Sequence, residues 1–396
     1  MKETNVIDME MLLELSHLYG SNPEFVLAGG GNTSMKTEDR LYVKASGTSL
    51  ATIDKDGFVE LDRSALHTLS EEHLDGDPIK REQQFKDAVM AARIHPEKNL
   101  RPSVECVLHH QLSSRFVIHT HPTIVNAVTC CTKGKQLAQA WFGEKTLWIS
   151  YVDPGVTLAG TLNKAVREYA HTTGRTFPPA ILIQNHGLIV CGDTLDEIHS
   201  VTDHLIATIQ RHLDTVAGTN PFGSLSEVDG RKSRELIDSL LNILPCIAAE
   251  EESEQIALFD DSETVMSLVC GAEGKSAANG GPLTPDQIVY CNSFPLWIDL
   301  PEDISSGALT STLKNAFEEH STLRRFPPKV VLIKNLGMFT IAANEKAADV
   351  IRLVYKDAIK VMEGAQRLGG INFMNRSQYE FIEDWEAEAY RRNVTI

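Results

Sequence analysis

The sequence predicts an α/β protein of two domains, and three observations predict it. Apolar, β-branched runs alternate with segments of helical period as far as about residue 212. Two early strands are separated only by polar turns, which suits an antiparallel pair rather than a crossover unit. A long motif of the first half returns in the second. At 396 residues the chain also exceeds a single core, so two domains of roughly 150 to 220 residues are expected.

Taken in order, residues 7–20 read as an amphipathic helix, and residues 24–28 as a short strand opening onto Gly29-Gly30-Gly31-Asn32-Thr33-Ser34. Arg40 to Lys44 is a second strand, closed by Ser46-Gly47-Thr48. Residues 62–92 are helical in period, with a turn from Gly76 to Pro78. A further helix runs from Pro102 to Leu112, with Pro102 in its first turn and Ser103 as a cap. Then come a strand at 115–119, a helix opening at Pro122, a strand at 147–152, a helix at 160–172, a strand at 180–185 and a helix at 194–212. Gly218, Asn220, Pro221, Gly223 and Ser224 interrupt the pattern. That interruption predicts a first domain over 1–217, a linker over 218–232 and a second domain over 233–396. The tail from Ser377 to Arg392 reads as an amphipathic helix, anchored by Tyr379, Phe381, Trp385 and Tyr390.

The second half repeats the first. RTFPPAILIQNHGLIV, from Arg175, recurs as RRFPPKVVLIKNLGMFT, from Arg324. Asn185 returns 150 positions on as Asn335, but Phe177 returns 149 positions on as Phe326, which puts one extra residue in this strand of the second copy. LWISYVDPG and TLNKAV are echoed by LWIDLPED and TLKNAF. The second copy has Leu336 where the first has His186, and no HxH precedes it. The expectation is a duplicated α/β domain whose second copy has lost its metal ligands.

Composition excludes several partners. A net charge of −17 argues against nucleic acid and anionic membranes, both of which need a basic footprint. The seven cysteines are odd in number and scattered without CxxC pairs, so they read as reduced thiols of a cytoplasmic protein. The N-terminal segment lacks a signal-type apolar core, and no apolar run reaches transmembrane length.

Chemistry concentrates in three histidines. His119 and His121 sit at i and i+2 of FVIHTHP, so in a strand both imidazoles share a face. His186 closes the apolar run of LIQNHGLIV and precedes Gly187, on a turn leaving a strand. Three neutral imidazoles suit zinc with an open position for chemistry, and they also admit manganese, iron, cobalt or nickel. Glu105 in RPSVE, near a cation in a partly dry cleft, can be tuned between ligand and acid/base. Glycine-rich turns followed by hydroxyls suit an anion, through a nest of backbone N–H groups.

In order and spacing, GGGNTS, KASGTS, RPSVE, HTHP and NHG resemble the class II aldolase/adducin family over about residues 8 to 215. RPSVE and the C-terminal continuation are most similar to the aldolase portion of long rhamnulose-phosphate aldolase/short-chain dehydrogenase-type proteins. On that likeness, this chain is expected to stop before any dehydrogenase, and it holds no GxGxxG. The resemblance implies a three-layer α/β/α class II aldolase-like sandwich with a mainly antiparallel sheet, followed by a degenerate aldolase-like α/β domain. It implies a divalent metal on His119, His121 and His186, with Glu105 as a further ligand and as the catalytic acid/base. Substrate phosphate would fall on Gly30, Gly31, Asn32, Ser46, Gly47 and Ser103, with Lys44 nearby to add charge. One departure is that Ser103 is followed by Val104, where many small members carry two serines before the acid.

The implied reaction is reversible aldol cleavage of a ketose 1-phosphate or related sugar through a metal-stabilised enediolate. The same family includes epimerases, decarboxylases and dehydratases of sugar phosphates, and adducin-like binding modules without catalysis. Small family aldolases are often four-fold tetramers and some borrow a tyrosine from a neighbouring subunit, so a homo-oligomer is expected; no residue here is assigned to that tyrosine.

Overall fold

The structure, a computed structural model, describes residues 3–71, 76–226, 233–249, 254–301 and 304–385. The chain divides into two compact units, the first made chiefly of residues up to Asp214 and the second chiefly of residues from Thr215 onward. Residues 72–75 of the expected helical segment, 227–232 of the expected linker, and the tail beyond Trp385, with Tyr390, lie outside the described residues.

The first unit holds helices α1 (Glu3–Gly20), α2 (Arg63–Glu71), α3 (Pro78–Ala91), α4 (Cys106–Gln111), α5 (Thr123–Thr129), α6 (Gly134–Phe142), α7 (Val156–Thr173) and α8 (Leu195–Thr215). Its strands are β1 (Asn32–Lys36), β2 (Arg40–Lys44), β3 (Phe58–Asp62), β4 (Phe116–Thr120), β5 (Thr146–Ile149), β6 (Ala180–Ile183) and β7 (Gly187–Gly192). They form one sheet in the order β3-β2-β1-β4-β7-β6-β5. Every pairing is antiparallel except β5 with β6. Leu41, Val59, Val117, Ile181 and Ile189 turn one face toward α2, α3, α4 and α7. The opposite face meets α1, α5 and α6, where Thr33 and Ser16 share a hydroxyl hydrogen bond of 2.7 Å. The result is the expected three-layer sandwich, with both sheet faces covered.

Several local expectations change. Residues 24–28 form no strand: Phe25 and Val26 donate their N–H groups back to the Asn22 carbonyl, and Ala28 has φ 50°, so the backbone turns on itself. Strand pairing begins at Asn32, inside the glycine-rich motif. Helix α4 starts at Cys106 rather than Pro102, because Ser46 N–H bonds the Arg101 carbonyl and Ser103 N–H bonds the Lys44 carbonyl. Those bonds hold residues 101–103 extended beside β2. The sequence reading also passed over β3, α6 and β7. In the sequence the apolar run closes at His186, whereas in the structure a tight turn there begins a second strand, β7.

The second unit contains α9 (Ser233–Ala248), α10 (Glu263–Val269), α11 (Gly274–Ala278), α12 (Pro285–Cys291), α13 (Ser306–Leu323), α14 (Glu345–Leu368) and α15 (Arg376–Asp384). Strands β8 (Ile256–Asp260), β9 (Leu296–Ile298), β10 (Val330–Ile333) and β11 (Gly337–Ala342) form a sheet in the order β8-β11-β10-β9. This repeats β4-β7-β6-β5, including the parallel pair at the end. Asn185 and Asn335 both adopt left-handed φ, 53° and 60°, and donate their N–H groups to Thr129 and Val269 at the ends of the matching helices α5 and α10. The extra residue of the second copy falls upstream of Lys329 rather than within β10: Cys191 N–H bonds the Pro179 carbonyl and Ile341 N–H bonds the Lys329 carbonyl, so the offset is already 150 there. Residues 220–226, placed in the linker by the sequence, lie against this unit: Phe222 is buried and Asn220 Nδ2 donates to the Ser267 carbonyl.

Candidate metal centre

The site begins with strand register. Asn32 of β1 lies opposite His119 of β4, which lies opposite Ile189 of β7, so these side chains share the sheet face that α4 covers. His121 lies just past the end of β4, where its N–H bonds the Phe25 carbonyl. His186 sits on the turn between β6 and β7, its N–H bonded to the Ile183 carbonyl.

The three imidazoles converge. His119 Nε2 lies 3.1 Å from His121 Nε2 and 3.3 Å from His186 Nε2. His119 Nδ1 is 3.0 Å from the Leu188 carbonyl oxygen, so Nδ1 carries the proton and Nε2 presents its lone pair to the cluster. The ligand atoms all lie within 4.8 Å of one another, and His119 and His186 are buried. Three nitrogen donors at this spacing suit a divalent cation, so the residues present fit the metal that the resemblance implies.

Glu105, at the N-cap of α4, lies beside these imidazoles. Its Oε1 lies 3.5 Å from His119 Nε2 and 3.6 Å from His186 Nε2, while Oε2 accepts a 2.6 Å hydrogen bond from Asn32 Nδ2. Burial by itself would raise this carboxyl, but the attraction of His119, His186, His109 and His121 in their protonated forms outweighs burial and draws it down to about 2.

The other predicted residues fall on three adjoining segments. Gly30 and Gly31 precede β1, Ser46 and Gly47 follow β2, and Ser103 precedes Glu105. Ser46 Oγ donates to the Pro102 carbonyl, and Ser103 Oγ accepts from Glu105 N–H. Lys44 is buried rather than solvated, and its ammonium donates to the Gly29 carbonyl, tying the glycine loop to this turn. Sequence reasoning missed the Asn32–Glu105 bond and the Leu188 carbonyl behind His119. It also missed Lys36, on which burial forces the ammonium down to about 7; Arg63 pushes it down further, while Cys191 and Asp193 draw it up.

Among its described residues the second unit has no such centre. Phe259 lies opposite Phe339 as His119 lies opposite Ile189, so Phe259 takes the place of His119. Asp261 and Leu336 stand at the positions of His121 and His186. Among the described residues, the group at His119 is the one cluster of three metal-ligating side chains.

Residues 10–213 match the Class II Aldolase and Adducin N-terminal domain, and residues 236–391 match the Aldolase class II, second domain. The chain belongs to the class II aldolase/adducin family. It is 28% identical to the "Uncharacterized oxidoreductase YuxG" of Bacillus subtilis over 97% of this chain and 58% of that longer relative. It is 25% identical to the L-fuculose phosphate aldolase of Methanocaldococcus jannaschii over 43% of this chain and 77% of the relative. A solved N-terminal class II aldolase domain from Thermoplasma acidophilum is 26% identical, with a TM-score of 0.45, over 52% of this chain and 93% of that one. No helix among the described residues is long and apolar enough to cross a membrane.

Elemental analysis should find a divalent ion in the purified protein and none in His186→Ala. Gly187→Ala should weaken metal binding about tenfold or more, because an added Cβ would lie 2.6 Å from the Thr120 carbonyl oxygen and 2.7 Å from His121 Cδ2. Competition with a chelator measures that loss, and wild-type affinity in Gly187→Ala would contradict it.

Lys36 makes a separate prediction about stability. Its folded value is about 7, whereas an unfolded lysine titrates near ~10.4. Between these values the unfolded chain holds the extra proton, so stability should rise with pH across that window. Urea melts of Lys36→Met should show that rise flattened, and an unchanged slope would contradict it.

Proposed function

We propose that the first unit is a metal-dependent class II aldolase-type lyase that reversibly cleaves a ketose 1-phosphate or a related sugar (phosphate). The observation that carries this reading is the convergence of three imidazole nitrogens, with one carboxylate 3.5–3.6 Å from two of them. The likeness to an L-fuculose phosphate aldolase supports the substrate class.

His119, His121 and His186 would hold the cation, with Glu105 as a further ligand at rest. When bound, the cation supplies Lewis-acid stabilisation of the negative charge that reaches the carbonyl oxygen as the carbon–carbon bond breaks. Zinc is the metal that three neutral imidazoles favour, with manganese, iron, cobalt and nickel compatible. Glu105, held as a carboxylate, takes the proton of the hydroxyl that becomes the aldehyde and returns a proton to the carbon freed by cleavage. Gly30, Gly31, Asn32, Ser46, Gly47 and Ser103 would receive the phosphate through backbone N–H groups and hydroxyls. The absence of a second serine at Val104 leaves that cradle one hydroxyl short of many small members. The second unit, without ligands, would serve assembly, and the protein would act in the cytoplasm as a homo-oligomer.

Metal-loaded protein tested on a panel of ketose 1-phosphates should release an aldehyde. Glu105→Gln should lower the rate ~10²–10⁴-fold while saturating metal still loads the histidines. Full activity in that variant would overturn the acid/base role, and epimerised or decarboxylated products would overturn aldol cleavage. Light scattering should give a multiple of the chain mass, and a stable monomer would overturn the oligomer.

A further inference from the structure

Strand β1 carries an unusual inward face. A strand covered on both sides is ordinarily apolar throughout, yet Asn32, Ser34 and Lys36 alternate along β1 and all turn toward α4. Thr33 meets α1 on the other face. Each of the three inward side chains grips α4 at a different point. Asn32 Nδ2 donates to Glu105 Oε2 at 2.6 Å. Ser34 Oγ lies 2.7 Å from His109 Nδ1. Lys36 Nζ donates to the His109 carbonyl at 2.9 Å.

Helix α4 has six residues, and its N-cap Glu105 makes no side-chain capping bond. So short a helix does not hold its own position. His109 lies one turn beyond Glu105, with its N–H on the Glu105 carbonyl, so an anchor at His109 is an anchor for the acid. His109 is 0% exposed and its Nε2 meets no hydrogen-bonding partner among the described residues, so Ser34 is what orients the ring. Burial keeps this imidazole neutral, at about 3. Apolar side chains would fill the same space without the cost of desolvating a lysine and a histidine. What they lack is direction, and direction is what a ligating carboxylate requires.

We propose that Ser34 and Lys36 are positioning residues that, through His109, fix α4 and thereby hold the Glu105 carboxylate against His119 and His186. The inference rests on the reading of Glu105 as a metal ligand, and its scope is the placement of that carboxylate. Ser34 bonds the His109 ring and Lys36 the His109 carbonyl. Lys36 serves as a donor whether its amine is charged or neutral.

The test is titration of the full chain with Co²⁺, read from the d–d absorption band, which reports both affinity and the ligand set. Ser34→Ala and Lys36→Met should each lower Co²⁺ affinity ~10-fold or more and move the band toward that of Glu105→Gln. Ser34→Thr, which restores a hydroxyl, should recover both. In a Glu105→Gln background, Ser34→Ala should cause no further loss, because the acid it positions is already gone. Ser34→Ala with wild-type affinity and band, or a loss that adds in full to that of Glu105→Gln, would overturn the inference alone. Wild-type Co²⁺ affinity in Glu105→Gln itself would overturn the ligand role, and the inference with it. Should Lys36→Met fail to fold, the Ser34 cycle decides the matter by itself.

Discussion

The register that joins β1, β4 and β7 is the constraint on which the rest of the structure depends. Antiparallel pairing sets Asn32, His119 and Ile189 in one row on one face of the sheet. A slip of one residue along β4 would turn His119 to the opposite layer. The same pairing brings the Leu188 carbonyl to His119 Nδ1, so the strand that neighbours the ligand also selects its tautomer. The turn before β7 then supplies His186, and the short helix over that face supplies Glu105. The site is therefore a property of three paired strands and one covering helix rather than of a single loop.

The duplicated half shows how far the fold is separable from its chemistry. The sheet order β8-β11-β10-β9 reproduces β4-β7-β6-β5, and the left-handed asparagine turn recurs at Asn335. Phe259 and Leu336 occupy two ligand positions and belong with the apolar cluster of that unit. A buried strand face accepts an apolar side chain more readily than an imidazole without a partner. Once the ligands are gone, apolar replacement there favours packing. The described second sheet has no counterpart of β1–β3, the strands that bring Asn32 and the glycine-rich turns to the first site.

The polar face of β1 shows the opposite economy. Ser34, Lys36 and His109 are buried groups that carry a desolvation cost. Their hydrogen bonds constrain orientation, which close packing of apolar groups leaves looser. The same feature ties stability to metal binding, since a side chain that disfavours folding near neutral pH is placed where it steadies the helix bearing the acid.

The sequence by itself determined which three imidazoles come together and the doubling. His119 and His121 at alternate positions, His186 before Gly187, and the recurrence of the Pro-Pro strand with its asparagine turn are periodic or local features, legible without distances. The mainly antiparallel sheet followed from the family resemblance, while the polar turns by themselves indicated one antiparallel pair, which forms between β1 and β2. Tertiary structure alone decided the rest. Residues 24–28 carry strand-forming side chains but lie in a turn closed by hydrogen bonds to Asn22. Helix α4 begins late because residues 101–103 pair with the end of β2, an interaction between segments far apart in the chain. Lys36 and His109 look like ordinary surface residues in the sequence, and only packing against a distant element turns them into a buried clamp on Glu105. Contacts between residues about 73 positions apart leave no periodic trace, which is why the three imidazoles could be read from the chain and the means of holding Glu105 could not.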